Sequence, residues 1–152
     1  MNLKNYTTEV PASRSIDYIE KLLVEFGATN IMKEYQDLHP LAGKRCSSIS
    51  FIVDMNGQRL PFRLPANVEK VKKWLRKKKP NGTDKTIAEQ AERIAWKQQY
   101  EILHLQLGQI EMEQLEKLEV FFPYLYDISR NETYYQKLKS NGFAGLLGNG
   151  TD

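Results

Sequence analysis

The sequence predicts an α+β fold: a small antiparallel sheet of three to four strands with one N-terminal helix packed on it, followed by a helical C-terminal half containing one long helix. Three observations predict it. Residues 47–65 are two alternating apolar runs joined by Asn56-Gly57. Residues 15–28 repeat apolar side chains at the spacing of a helix face. From Asp84 onward the pattern stays helical for more than thirty residues.

Taken in order, "YTTEVPA" (6–12) is β-prone until Pro11 and suggests an additional strand over 6–10. In "SIDYIEKLLVEFGA" the residues Ile16, Ile19, Leu22, Leu23 and Phe26 share one face. Ser15 is the expected cap of that helix and Gly27 its left-handed stop. "NIMKEYQD" (30–37) reads as a strand and "LHPLAGKR" (38–45) as a loop. In the hairpin, Ile49, Phe51, Val53 and Met55 face one way, as do Leu60, Phe62 and Leu64. Asn-Gly accepts the two positive φ values of a type I′ turn. Pro61 lacks an N–H, so its strand belongs at an edge. Arg59 and Arg63 fall on that strand's polar face.

Asn67 is positioned to cap the next helix, whose apolar stripe is Val68, Val71, Trp74 and Leu75. "KPNGTD" (79–84) is a turn and the expected boundary between an α+β subdomain, 1–80, and a helical extension, 81–152, the two expected to form one compact unit. The long helix is expected to run from Asp84 to about Phe122, where Pro123 disfavours helical geometry in the residue before it. Gly108 within it suggests close packing or a kink. A last short helix is expected over 131–140, stopped by Asn141-Gly142. A thirty-residue helix is about 45 Å long, more than so small a sheet can cover. Its far half therefore needs the C-terminal segment or a second subunit, and Phe121, Phe122 and Tyr124 are the candidate oligomer contacts.

The chain has 152 residues, 41% hydrophobic and 27% charged, enough to bury a core without staples. A single cysteine, Cys46, fits a reducing compartment. "MNLKNYTTEV" has no apolar stretch of the secretory kind, and no run of 18 apolar residues occurs, so cytoplasm is expected and membrane is not.

The net charge of +3 hides a segregation. Residues 59–97 hold twelve Lys/Arg against four acids, a net +8, and residues 98–135 hold two against seven, a net −5. The densest stretch, "NVEKVKKWLRKKKP", places seven cations between Lys70 and Lys79. If Arg59, Arg63, Lys70, Lys73, Arg76, Lys77, Arg93 and Lys97 converge, they form a groove able to track single- or double-stranded DNA by its phosphates, with Trp96, Trp74 or Tyr100 stacking on bases. The bland alternative is a solvated helix face, or one that docks an acidic protein.

Enzyme signatures are sparse. His39 and His104 lie 65 positions apart, neither with a His or Cys at ligand spacing, and no phosphate-cradling loop or nucleophile elbow occurs. No catalytic residue, metal or cofactor is expected. The remaining enzyme reading is a metal-dependent hydrolase built on Glu89 and Glu92.

Three segments, "YTTEVPASRSIDYIEKLLVEFGATNIMKEY", "ISFIVDMNGQRLPFRLPANVEKV" and "QAERIAWKQQYEILHLQLGQIEMEQLEKLEVFFPYL", resemble a family of small uncharacterised proteins encoded by tailed bacteriophages and prophages. The resemblance runs from about Tyr6 to Phe143, and "YTT-V", "LPFRLPANVE" and "AERIAWK" carry it best. It implies a protein acting inside an infected bacterium, either on phage DNA during replication or recombination or as a modulator of a host defence or replication enzyme. It implies no catalytic residue, and the lysine run 76–79 lies outside its most recognisable motifs.

Overall fold

Asn56 and Gly57 take φ values of 52° and 82° and reverse the chain between Met55 and Gln58, in the hairpin that their sequence demands. In the computed structural model, which describes residues 3–39 and 43–146, strands β1 (Thr29–His39), β2 (Gly43–Met55) and β3 (Gln58–Pro65) form one antiparallel sheet in the order β1-β2-β3. Pro61 sits on the edge strand, as its missing N–H requires. The expected loop 38–45 is partly strand, since β1 continues to His39 and β2 starts at Gly43. Ser47 is an extra residue opposite the Glu34–Tyr35 step of β1, a bulge, and its Oγ lies 3.3 Å from the Glu34 carbonyl.

The strand expected over 6–10 does not form. Tyr6 N–H bonds back to Leu3 and Thr8 N–H to Asn5. The carbonyls of Tyr6 and Thr8 accept from the Gln90 side chain at 3.2 and 3.1 Å, a partner that no strand supplies. Helix α1 (Ala12–Phe26) starts earlier than expected. Pro11 occupies the cap position, and Ser15, the expected cap, is fully buried inside the helix. Gly27, at φ 103°, ends it as expected, with Ala28 N–H closing on the Leu23 carbonyl at 2.8 Å.

One face of the sheet carries Ile49, Phe51, Val53, Phe62 and Leu64. Above it lies α3 (Asp84–Glu111), 28 residues and about 42 Å long. Helices α1 and α2 (Val68–Lys78) pack along α3. Ala88, Ala91 and Ala95 are buried on α3, and their small side chains allow close approach. Gly108 does not interrupt this helix, and nothing lies within 4 Å of where its Cβ would stand, so it serves no close packing.

The long helix stops eleven residues short of Phe122. Glu113 takes a left-handed φ of 59°, with Glu113 N–H on Ile110 and Gln114 N–H on Gln109, the paired bonds of a Schellman stop. The sequence has neither Gly nor Pro there. A new helix, α4 (Lys117–Phe121), starts from a capping box between Glu116 and Glu119. This fold-back drives Phe121 into the core, 5.6 Å from the rings of Phe26, Phe51 and Phe62. Phe121 is therefore core and not an oligomer contact; Tyr124 packs half-buried against the same core, and Phe122 stays exposed beside Tyr134.

A 3-10 turn (Phe122–Tyr124) leads to a short hairpin, β4 (Tyr126–Asp127) and β5 (Glu132–Thr133), that the sequence did not announce. Leu125 bridges to Phe62, so this segment lies against the β3 edge. Helix α5 (Tyr134–Ser140) is shorter than expected but ends as expected at Asn141-Gly142, where Gly142 has φ 62° and Phe143 N–H closes on Leu138.

Phe121→Ala should cost about 3–5 kcal/mol in urea unfolding, whereas Phe122→Ala should cost under about 1 kcal/mol. Equal losses would contradict the fold-back.

Candidate functional site

Helix α2 is amphipathic in the simplest way. Val68 and Leu75 are buried, Val71 and Trp74 half-buried, and the opposite side is cationic. Asn67 occupies the cap position, but its side chain makes no capping bond. Lys70, Lys73 and Lys77 recur at i, i+3 and i+7, all exposed, and among the described residues none has an ion-pair or hydrogen-bond partner. Lys78 Nζ stands 5.6 Å from the Trp74 ring centre, and Lys79 Nζ 5.5 Å from that of Tyr6. Cations in the last turn also complement the helix dipole. Arg76 is different: it pairs with the Asp84 carboxylate and donates to the Gly82 carbonyl, closing the 79–84 turn.

The other expected site residues lie elsewhere. Trp96 is fully buried between α3 and the sheet, and its Nε1 donates to the Cys46 carbonyl at 3.1 Å. A sealed indole offers no face to a base, so the stacking role expected of Trp96 is corrected. Arg59 and Arg63 alternate along β3 with the core side chains Leu60, Phe62 and Leu64 and so lie on the opposite face of that strand. Arg59 donates to Asn30 at 2.8 Å. Arg63, its side chain only 11% exposed, reaches Glu34 at 2.7 Å, Tyr126 Oη at 2.7 Å and Asn131 at 2.6 Å, with its guanidinium 4.1 Å from the Tyr126 ring centre. It pins the β4–β5 hairpin to the sheet. Arg93 donates to Gln90 at 2.8 Å. Lys97 lies 3.5 Å from Glu101 and over Tyr100, on the α3 flank where Tyr100 meets Tyr18 of α1. The expected single groove is thus not formed by these residues together, and among the described residues of α2 the unpaired cations of the exposed row are Lys70, Lys73 and Lys77.

Glu89 and Glu92 converge on Arg45, at 4.0 and 3.3 Å, so a guanidinium occupies the place a metal would take between them. Burial raises the pKa of the Glu92 carboxyl, against the pull of Arg45 and Arg93. Among the described residues no group of three His, Cys, Asp or Glu is placed to hold a metal ion. The Cys46 thiol is buried, and that burial pushes its pKa up to about 11. A cleft of about 280 Å³ at the start of α2 is lined by Arg45, Arg63 and Lys70 but equally by Glu34, Asp37 and Glu69, so its charges balance.

A second cleft, of about 290 Å³, lies beside the lysine row. Its outer wall is the N-terminal segment, strapped to α3 by Gln90, by Gln98 bonding the Lys4 carbonyl at 3.2 Å, and by Asn5 on Glu101 at 3.0 Å. Tyr6 meets Trp74 edge-on, with ring centres 5.5 Å apart. Sequence reading missed Tyr6, which it placed in a strand; the signal was its tyrosine among polar residues just before α1. No family model, curated protein or solved structure matches the chain.

Arg63→Ala should cost about 2–4 kcal/mol, because three acceptors lose their donor in a mostly buried place; urea titration measures it. Cys46 should resist thiol reagents at pH 7, with about one molecule in ten thousand as thiolate, until denaturant exposes it. Its unfolded thiol ionises near pH 9 and its folded thiol only near 11. Stability should therefore fall as pH rises through that window, more steeply than in Cys46→Ala.

Proposed function

We propose that this chain is a non-enzymatic nucleic-acid-binding protein that contacts phosphates through the lysine row of α2. The observation that carries this reading is the exposed, unpartnered row Lys70, Lys73 and Lys77, continued by Lys78 and Lys79 at the helix end. Unpaired lysines on a rigid helix release counterions when they meet a phosphate backbone, and that release drives association. The resemblance to tailed-phage and prophage proteins supports a setting in the cytoplasm of an infected bacterium, on DNA undergoing replication or recombination.

A second reading is docking to another protein, a host enzyme or a second copy of this chain. It is favoured by Ile102 and Leu105 on the outer side of α3 and by Met112 at its C-terminal cap, which leave 52%, 65% and 64% of their surface exposed. Apolar side chains on one helix face commonly mark a partner surface.

Fluorescence anisotropy with labelled DNA separates the two readings. The row supplies about three phosphate contacts, so affinity should fall roughly 20- to 40-fold between 50 and 200 mM salt. Lys70→Glu/Lys73→Glu/Lys77→Glu should abolish binding while leaving the circular dichroism spectrum unchanged. Arg76→Glu is a poor substitute, because it breaks the bond to Asp84 that closes the turn. Absence of binding at 50 mM salt would pass the case to Leu105→Glu and the protein-docking reading.

A further inference from the structure

The lysine row has an aromatic neighbour that phosphate contact does not require. Trp74 projects from the same helix into the 290 Å³ cleft, half-buried, with Tyr6 edge-on beside it and Val71 and Ile94 as apolar wall. Lys70 is at once part of the exposed row and part of the cleft lining. Lys78 and Lys79 stand beside the same ring pair, while Lys4, also in the cleft lining, is held by Glu101 at 3.2 Å. Cations on the rim with aromatic rings on the floor are the two halves of a single-strand binding surface, one for the backbone and one for a base.

Resting on the reading of α2 as a phosphate contact, we propose that this cleft receives an unstacked base of a single-stranded nucleic acid, with Trp74 as the stacking platform. In a duplex the bases are stacked and paired, and none can enter a cleft walled by the N-terminal segment and α2. A single strand can turn a base inward while its phosphates follow Lys70, Lys73 and Lys77, which span about 10 Å of helix. The contact between Lys78 and Trp74 is an exposed cation–π interaction, weaker than stacking of a base on an indole. A base therefore displaces the Lys78 ammonium, which becomes available to a neighbouring phosphate. Sequence selectivity is low, because every base has a π face and the cleft wall is mainly apolar.

Three labelled probes of equal length test this: an oligothymidylate, the same strand paired with oligoadenylate, and an abasic deoxyribose-phosphate strand. At 50 mM salt the oligothymidylate should bind roughly tenfold more tightly than the abasic strand, and the duplex no better than the abasic strand. Trp74→Ala should bring oligothymidylate down to the abasic level without changing the salt slope, and Trp74→Phe should keep most of the difference. Equal affinity for the oligothymidylate and the abasic strand would overturn the base cleft and leave the lysine row standing. That comparison uses the unaltered chain, so it holds even if Trp74→Ala folds poorly. Failure of all three probes would overturn the phosphate row and the cleft together. Binding of an acidic tryptophan-bearing peptide in their place would assign the cleft to a protein.

Discussion

The Trp96 indole, sealed between α3 and β2, sets where the other elements go. Among the described residues it is the largest fully buried side chain, and its one polar atom is satisfied by the Cys46 carbonyl next to the β2 bulge. Burying such a ring is worth several kcal/mol, provided that its N–H finds an acceptor. That pairing fixes the height and rotation of α3 over the sheet. With Trp96 pointing down, Tyr100 faces α1, while Ile94 and Gln98 face α2 and the N-terminal segment. A helix about 42 Å long on a three-stranded sheet exposes apolar surface at its far end. The fold-back at Glu113 brings Phe121 onto Phe26, Phe51 and Phe62 and covers the sheet beneath that end.

Electrostatics divides the cations into two populations. Arg45, Arg59, Arg63, Arg76 and Arg93 each hold a carboxylate, amide or carbonyl partner, four of them linking separate elements or closing a turn. Lys70, Lys73 and Lys77 of the α2 row are exposed and, among the described residues, unpaired. This follows from side-chain chemistry. A planar guanidinium with five donors is easily fixed by convergent acceptors, whereas a lysine ammonium is strongly hydrated and mobile on its stem. A block of charge in the sequence therefore overstates the surface available to a ligand, since the arginines within it are largely committed to the fold.

The same distinction explains what was legible beforehand. The hairpin could be read because Asn56-Gly57 and strict alternation are local signals, and α1 because its stripe and Gly27 agree. The break in α3 could not, because Glu113 is an ordinary residue in a left-handed conformation. The gain that holds it there is Phe121 entering a distant core. Ser15 looked like a cap, yet Pro11 takes the cap position four residues earlier. At the site, the α2 row was legible from helical spacing alone. The dispersal of Arg59, Arg63, Arg93 and Lys97 was not, because strand and helix faces are assigned only once the elements pack. Trp96 shows the ambiguity of aromatic residues in a basic segment: composition does not say whether an indole faces solvent or core.

Tyr6 and Trp74 are separated by nearly half of the chain, yet they share one cleft because Gln90 and Gln98 hold the N-terminal backbone on α3. The strap uses side-chain amides on peptide carbonyls, bonds of modest net worth each that act together along one segment. Such a segment is tethered more weakly than a strand in a sheet, and it opens at lower cost than the core beneath it. The wall of the cleft is thereby its least rigid part, whereas Trp74 stands on a helix anchored by Leu75, which is fully buried. A rigid platform with an adjustable wall can accept aromatic rings of different size, which is what a binder indifferent to base identity requires. A sequence-reading site would need the opposite arrangement, with fixed donors and acceptors around the ring, and the apolar floor of this cleft does not supply them.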